Sequence, residues 1–329
     1  MPAFQADRVW LAPMSGSTDA AFRRQAVCYG APTVVSEMVA GESLAAARPD
    51  VVRKTCRHEG KGLWVVQLAG RRPEDMQRGA EILVDAGVDV IDINMGCPSR
   101  QVTGGNSGSA LMREPELALQ IIEAALTGAG RTPVTLKMRL GWDHTSLNAP
   151  DLARAATDLG VQLITVHGRT RCQFYKGEAD WRAVRDTVEA VNVPVIANGD
   201  IHCVQSASLA QSDSSAFGVM IGRAAMGQPW LIGEIDAHMK GADFAAPTLQ
   251  QQSDGLCEQI EDSLALYGAA LGLRIVRKHI AAHVDKVALP MTETDRRLRR
   301  AELCRIDAPK QLIRDIQALY SGQTLEVAA

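Results

Sequence analysis

The sequence contains no uninterrupted apolar run long enough to cross a bilayer, although 46% of its 329 residues are hydrophobic, and this excludes a membrane-spanning class. Its first ten residues, MPAFQADRVW, lack the basic start and apolar stretch of an export signal. A cytoplasmic protein with no membrane partner is the expectation. C-x-x-C spacings are missing too: seven cysteines, Cys28, Cys56, Cys97, Cys172, Cys203, Cys257 and Cys304, are scattered singly. Zinc ribbons and dithiol redox pairs are thereby disfavoured, and reduced thiols are expected. No G-x-G-x-x-G follows the first strand-like run, which weighs against a doubly wound dinucleotide-binding sheet. A net charge of −3 does not announce a nucleic-acid binder. That average hides an asymmetry, since Arg274 to Arg314 holds eleven Lys or Arg against five Asp or Glu, leaving −9 on the rest. Such a stretch fits either a local polyanion contact or a solvated helix face.

What is present is a rhythm. Short apolar runs, several β-branched and flanked by Gly or Pro, recur as VWLAPM, PTVVSEM, LWVVQLAG, VDVIDINMG, PVTLKMRLG, LITVHGRT, PVIANGD and AFGVMIGR. Helical spacing fills the intervals, as in PEDMQRGAEILVDAG, where Met76, Ala80, Leu83 and Val84 share a face. Eight strand–helix alternations predict an α/β fold, a (β/α)8 TIM barrel over residues 1–240. From 247 to 329 only helical patterns remain, led by Leu256, Ile260 and Leu264, then Val276, Ile280 and Val284, then Ile313 and Ile316. A second, all-helical domain of three or four helices is predicted there.

In a barrel, side chains alternate between interior and surrounding helices, and ligands sit at the C-terminal strand ends. That period of two aims Gln67, Asn94, Lys137, His167 and Asn198 inward from five different strands, with Arg139 on the same parity as Lys137. One such group is readily explained as a satisfied core polar residue. Five together are costly to bury without a partner, so a polar ligand is expected at the barrel mouth. The last two strand ends add Asn198–Asp200 and Gly222–Ala225, placing glycines and Arg223 where barrels commonly take a phosphate. A planar, polar, phosphorylated ligand is implied. FMN meets all three requirements, with Lys137 suited to the anionic N1–O2 edge of its reduced ring. Cys97, in NMGCP, stands three residues past Asn94 and close to a strand end. Burial as a small apolar residue is the plainest account of a single cysteine. His279 and His283 lie four apart on a predicted helix, but no third ligand has a matching spacing and no metal site is predicted.

Taken together, APMSGSTDAAFR, VQLAG, IDINMGCPS, VTLKMRLGW, TVHGRTR, YKGEADW, PVIANGDI, MIGRAAMGQPW and RKHI resemble the tRNA-dihydrouridine synthases, most closely their bacterial B-type branch. The resemblance implies an oxidoreductase acting on a CH–CH group: NADPH reduces FMN, and the reduced flavin reduces the C5=C6 bond of a uridine in the tRNA D-loop. It further implies FMN contacts at Pro13, Met14, Ser15, Gln67, Lys137, His167, Asn198, Gly199, Asp200, Gly222 and Arg223. Cys97 becomes the acid that protonates C5, because an ordinary thiol is mostly protonated near neutrality. Asn94 is implied at the uracil or flavin edge, Arg139 at the substrate, and Arg277, Lys278, Arg296, Arg297, Arg299 and Arg300 at the tRNA. No stable protein partner is expected. Two departures stand out: Ser15 replaces a common Ala, and RKHIAAHV lacks aromatics that often follow RKH.

Overall fold

The computed structural model describes residues 4–321, so the outermost residues of both expected domains lie outside the described residues. Eight parallel strands form the barrel: β1 (Val9–Leu11), β2 (Thr33–Val35), β3 (Leu63–Ala69), β4 (Val90–Met95), β5 (Val134–Arg139), β6 (Leu163–His167), β7 (Val195–Asn198) and β8 (Gly218–Ile221). Each pairs with its neighbours in chain order, and β1 pairs with β8 to close the ring. The expected single strand in PTVVSEM is broken. After β2 the chain leaves the sheet, buries Glu37, and resumes pairing as Val39–Ala40 against Leu68–Ala69 at the mouth.

Parallel strands are covered on both faces, and their sequences are correspondingly apolar. Outward-facing Val66, Leu68, Ile91, Ile93, Leu136 and Met138 join Met76, Ala80, Leu83, Ile121 and Ile122 of the covering helices in the largest core cluster. Met76, Ala80 and Leu83 are buried on the helix Pro73–Asp85 as their spacing requires, whereas Val84 is only half-buried. Inside the barrel, Trp10, Val35, Val65, Val90, Leu163, Ile196 and Met220 plug the lower end. Polar residues of the same parity lie above them, which confines the ligand-facing groups to one end.

After residues 242–248, which carry no regular structure, four helices follow: Leu249–Tyr267, Ala269–Lys286, Glu293–Leu303 and Pro309–Tyr320. Thr248 and Gln251 form a reciprocal capping box on the first, and Thr292 caps the third by accepting from Asp295 N. Their common core holds Leu256, Ile260, Val276, Ile280, Val284, Leu303, Leu312 and Ile316. Leu312, rather than Ile313, leads the buried face of the last helix. Among the described residues no helix is long and apolar enough to cross a membrane.

The helix Ala269–Lys286 packs against the barrel through two buried histidines. The His279 ring lies 4.7 Å from that of Phe22, and the His283 ring 6.2 Å from that of Trp230. Burial pushes His279 down to about 3, assisted by Lys278 and His283, and pushes His283 down to about 4. Both are therefore neutral in the folded protein. Their folded pKa values lie below the unfolded value, so unfolding takes up protons in acid, and stability falls as pH drops below about 6.5. Each histidine contributes a slope of up to roughly 1.4 kcal/mol per pH unit. Urea midpoints measured at pH 7 and pH 5 should show this decline, and His279→Phe with His283→Phe should flatten it.

Candidate active site

The strand register sets the inward-facing residues side by side. Asn94 lies opposite Lys137 in the β4–β5 register, Arg139 opposite His167 in β5–β6, and His167 opposite Asn198 in β6–β7. Gln67, Asn94, Lys137, Arg139, His167 and Asn198 all line one cavity of about 600 Å³ at the C-terminal ends of the strands. Pro13, Met14, Ser15, Cys97, Phe174 and Tyr175 also line its wall. A second cavity of about 500 Å³ shares His167, Asn198 and Arg223 with the first, and continues along Gly199, Asp200 and Gly222. The site thus has a wide compartment on the barrel axis and a narrower one over the β7 and β8 ends.

A hydrogen-bonded chain stiffens the wide compartment from below. Thr135 Oγ1 and Gln67 Nε2 donate to the two Asp92 carboxylate oxygens, each at 2.6 Å. Gln67 Oε1 accepts from Asn94 Nδ2 at 2.6 Å, and Asn94 Oδ1 accepts from Cys97 N at 3.1 Å and Gly96 N at 3.3 Å. As a carboxylate, Asp92 only accepts, which fixes both amide orientations. The buried carboxylate anchors the turn that presents Cys97.

That turn is held from two other sides. Arg139 Nε donates to Gly96 O at 2.8 Å, and Ser109 Oγ donates to Cys97 O at 2.7 Å. Gly108 has φ +61° and packs so close that an added Cβ would meet Val102 Cγ1 at 2.8 Å and Cys97 O at 3.0 Å. Cys97 is only half-buried and faces the cavity, which separates it from an inert core thiol.

Lys137 Nζ donates to Asn198 Oδ1 at 2.9 Å, while Asn198 Nδ2 donates to Met220 O at 2.7 Å. Burial lowers the Lys137 ammonium pKa and the Arg139 guanidinium lowers it further, with Asp92 opposing both. Burial raises Asp92 against the hydrogen bonds it accepts and the attraction of Lys137. His167 is pushed well below its ordinary value by burial, then by Lys137, Arg139, Arg169 and Arg223. It is neutral. Arg169 Nη1 lies 3.3 Å from His167 Nε2, and a guanidinium cannot accept, so Nε2 is the acceptor and the proton sits on Nδ1.

Arg169 and Asp92 are the principal residues that motif reasoning did not single out. Arg169 is 2% exposed and grips Asp200 with two bonds, of 3.0 and 2.5 Å. Burial raises the Asp200 pKa, but these bonds and that from Ala179 N more than reverse it, and the carboxylate stays charged. Asp200 therefore lines the narrow compartment with its carboxylate turned toward Arg169. Between them Gly199, at φ +114°, leaves no room for a Cβ, which would meet the His167 ring at 2.9 Å.

The structure redistributes the expected substrate contacts. Arg139 is 1% exposed and spends Nε and Nη1 on the carbonyls of Gly96, Thr170 and Phe174. Arg296 is tied to its own domain: its guanidinium donates to Val284 O, and to Val287 O at 3.0 Å, so it caps the end of the preceding helix. Lys278 Nζ donates to Gly16 O on the loop after β1. Arg277 pairs with Asp307 at 2.5 Å, Arg299 with Glu302 at 2.9 Å and Arg300 with Asp285 at 2.8 Å. Arg297 lies 3.9 Å from Glu293 and is mostly exposed. Exposed pairs of this kind are weak and exchange readily for another anion.

The dihydrouridine synthase (Dus) sequence profile matches residues 10–316. The chain belongs to the dihydrouridine synthase family. A probable tRNA-dihydrouridine synthase of Rhodobacter capsulatus is 48% identical over 95% of this chain and 94% of that protein. Among proteins called tRNA-dihydrouridine synthase B, that of Xanthomonas campestris is 41% identical over 84% of this chain and 83% of its own length. That of Pasteurella multocida is 36% identical over 85% of each. The resemblance to the B-type branch is thus present across most of the chain. Among solved structures, histamine dehydrogenase from Rhizobium sp. 4-9 superposes with a TM-score of 0.53 at 13% identity, covering 77% of this chain and 48% of that one. This similarity is one of fold alone.

Proposed function

We propose that the protein is a tRNA-dihydrouridine synthase that holds FMN in its two-compartment cavity, draws on NADPH, and reduces a uridine of the tRNA D-loop. The observation that carries this reading is the cavity itself: a wide polar compartment, a narrow one lined by Arg223 and two glycines, and a half-exposed Cys97 at the rim. The donor set fits the cofactor. Lys137 and Gln67 would hold the ring's polar edge, and Gly199, Gly222 and Arg223 its phosphate. Bound FMN would supply the hydride chemistry between nicotinamide and pyrimidine.

The remaining work falls to side chains of this chain. Cys97 would give its proton to uracil C5, positioned by the Asn94 turn. Arg139 Nη2 and Asn94 would orient the uracil carbonyls. A uridine inside folded tRNA must leave its stack to reach this depth, and the basic helices would hold the remaining tRNA by phosphate contacts and shape. Dihydrouridine mapping in tRNA from cells lacking the protein should show loss from the D-loop. Unchanged dihydrouridine there, or an apoprotein unable to bind FMN, would overturn the reading.

The arginine assignments alter the test of the tRNA surface. Replacing Arg297, Arg299 and Arg300 by Ala, while sparing the helix-capping Arg296, should weaken tRNA binding. Each lost phosphate contact should reduce the slope of log affinity against log salt by about one unit. An unchanged slope would assign these arginines to solvation.

A further inference from the structure

The helix Ala269–Lys286 touches the barrel mouth at two neighbouring loops. Lys278 donates to Gly16 O on the loop after β1, and Lys286 Nζ donates to Ala224 O at 2.9 Å on the loop after β8. Both loops frame the cavities: Met14, Ser15 and Ser17 line the wide compartment, and Gly222, Arg223 and Ala224 the narrow one. Lys286 itself lines the narrow compartment, although it comes from the helical region and not from the barrel.

The charges there do not cancel. Asp200, the compartment's carboxylate, is held by Arg169 at 2.5 Å and lies 3.8 Å from Arg223. Among the described residues, no carboxylate lies within ion-pair distance of Lys286. Its neighbour Asp285 is paired with Arg300. One of the three ammonium protons goes to Ala224 O, leaving two for a ligand. The negative end of its own helix is masked, because Arg296 caps the Val284 and Val287 carbonyls. Partial burial also lowers the Lys286 pKa, a cost that a bound dianion would reverse.

We propose that Lys286 is a phosphate ligand of the flavin nucleotide, supplied by the helical domain, so that cofactor binding ties that domain to the barrel. The inference rests on the FMN reading above and assigns one further residue to that site. Arg223 would neutralise the phosphate from the barrel and Lys286 from the helical domain. A flavin without its phosphate gains nothing from Lys286.

The test compares FMN with riboflavin on apoprotein prepared from the full chain, followed by flavin fluorescence quenching. Lys286→Met keeps the apolar stem and removes the charge. It should weaken FMN binding about tenfold, as expected for loss of one partly exposed charge-assisted hydrogen bond, and leave riboflavin affinity unchanged. Lys286→Arg should retain most of the FMN affinity. Equal weakening of both flavins would reduce Lys286 to a clip on Ala224, and unchanged FMN affinity would remove it from the site; either result overturns the proposal. Failure of the unmutated apoprotein to bind either flavin would instead overturn the cofactor reading itself.

Discussion

Replacement of Cys97 by Ala should lower uridine reduction by roughly 10²- to 10⁴-fold, the usual contribution of a positioned general acid, while flavin reduction by NADPH continues near its normal rate. The two half-reactions separate because only the second requires a proton at carbon. Geometry supports the assignment: the Cys97 amide is fixed by Asn94 Oδ1 at 3.1 Å, its carbonyl by Ser109 Oγ at 2.7 Å, and the side chain faces the cavity. A cysteine kept only for packing would not need its backbone held from both sides at a ligand-facing rim. Cys97→Ser should also be impaired, since an alcohol is a much weaker acid than a thiol. Anaerobic oxidation of prereduced enzyme by unmodified tRNA measures the second half-reaction in a single turnover. Oxidation by both variants at the unmutated rate would leave Cys97 a packing residue.

The side chains found around Cys97 differ in how far the sequence alone discloses them. Gln67, Asn94, Lys137, His167 and Asn198 emerge from alternation, since a parallel barrel strand must face every second residue inward. The same parity applies one step deeper. Asp92 precedes Asn94 by two residues, Thr135 precedes Lys137, and Thr165 precedes His167, so the signal for the supporting layer is present in the strands. What the strands do not disclose is which of these residues bond to one another, because Gln67 and Asp92 meet only through the β3–β4 register. Arg169 stands in a recognisable HGRTR, yet its partner Asp200 is 31 residues away and the pair exists only once β6 and β7 are adjacent. The bonds of Arg296 are hidden for a similar reason. Its residue type and its neighbours suit a polyanion contact, and only the turn over residues 287–292 brings helix-end carbonyls within its reach. The element boundaries were legible where periodicity was strong, and less so in β2, where burial of Glu37 against Gly16 N interrupts the strand.

Asp92→Asn should impair the enzyme although Asp92 does not line either cavity. The carboxylate accepts from Gln67 on one oxygen and from Thr135 on the other. An amide has one acceptor oxygen and one donor nitrogen. With its nitrogen toward Gln67, two donors oppose each other, Gln67 turns, and Asn94 loses the partner that orients it toward Cys97 N. With its nitrogen toward Thr135, the threonine proton is stranded in the interior instead. Either arrangement costs roughly 1–3 kcal/mol of stability for the unpaired group, and a displaced Cys97 turn costs turnover by up to about 10²-fold. A second consequence is electrostatic. Asp92 raises the affinity of Lys137 for its proton, against burial and the repulsion of Arg139. Without that charge the Lys137 pKa falls further, and the ammonium is lost at a lower pH. On the proposed reading, flavin reduction by NADPH depends on Lys137 and not on Cys97, and it should therefore lose its alkaline limb at lower pH in Asp92→Asn than in the unmutated protein. Stopped-flow reduction rates across pH 6 to 9 would show this shift, and urea midpoints would show the stability loss. An unmoved alkaline limb together with normal turnover would mean that Asp92 neither tunes Lys137 nor orients the turn carrying Cys97.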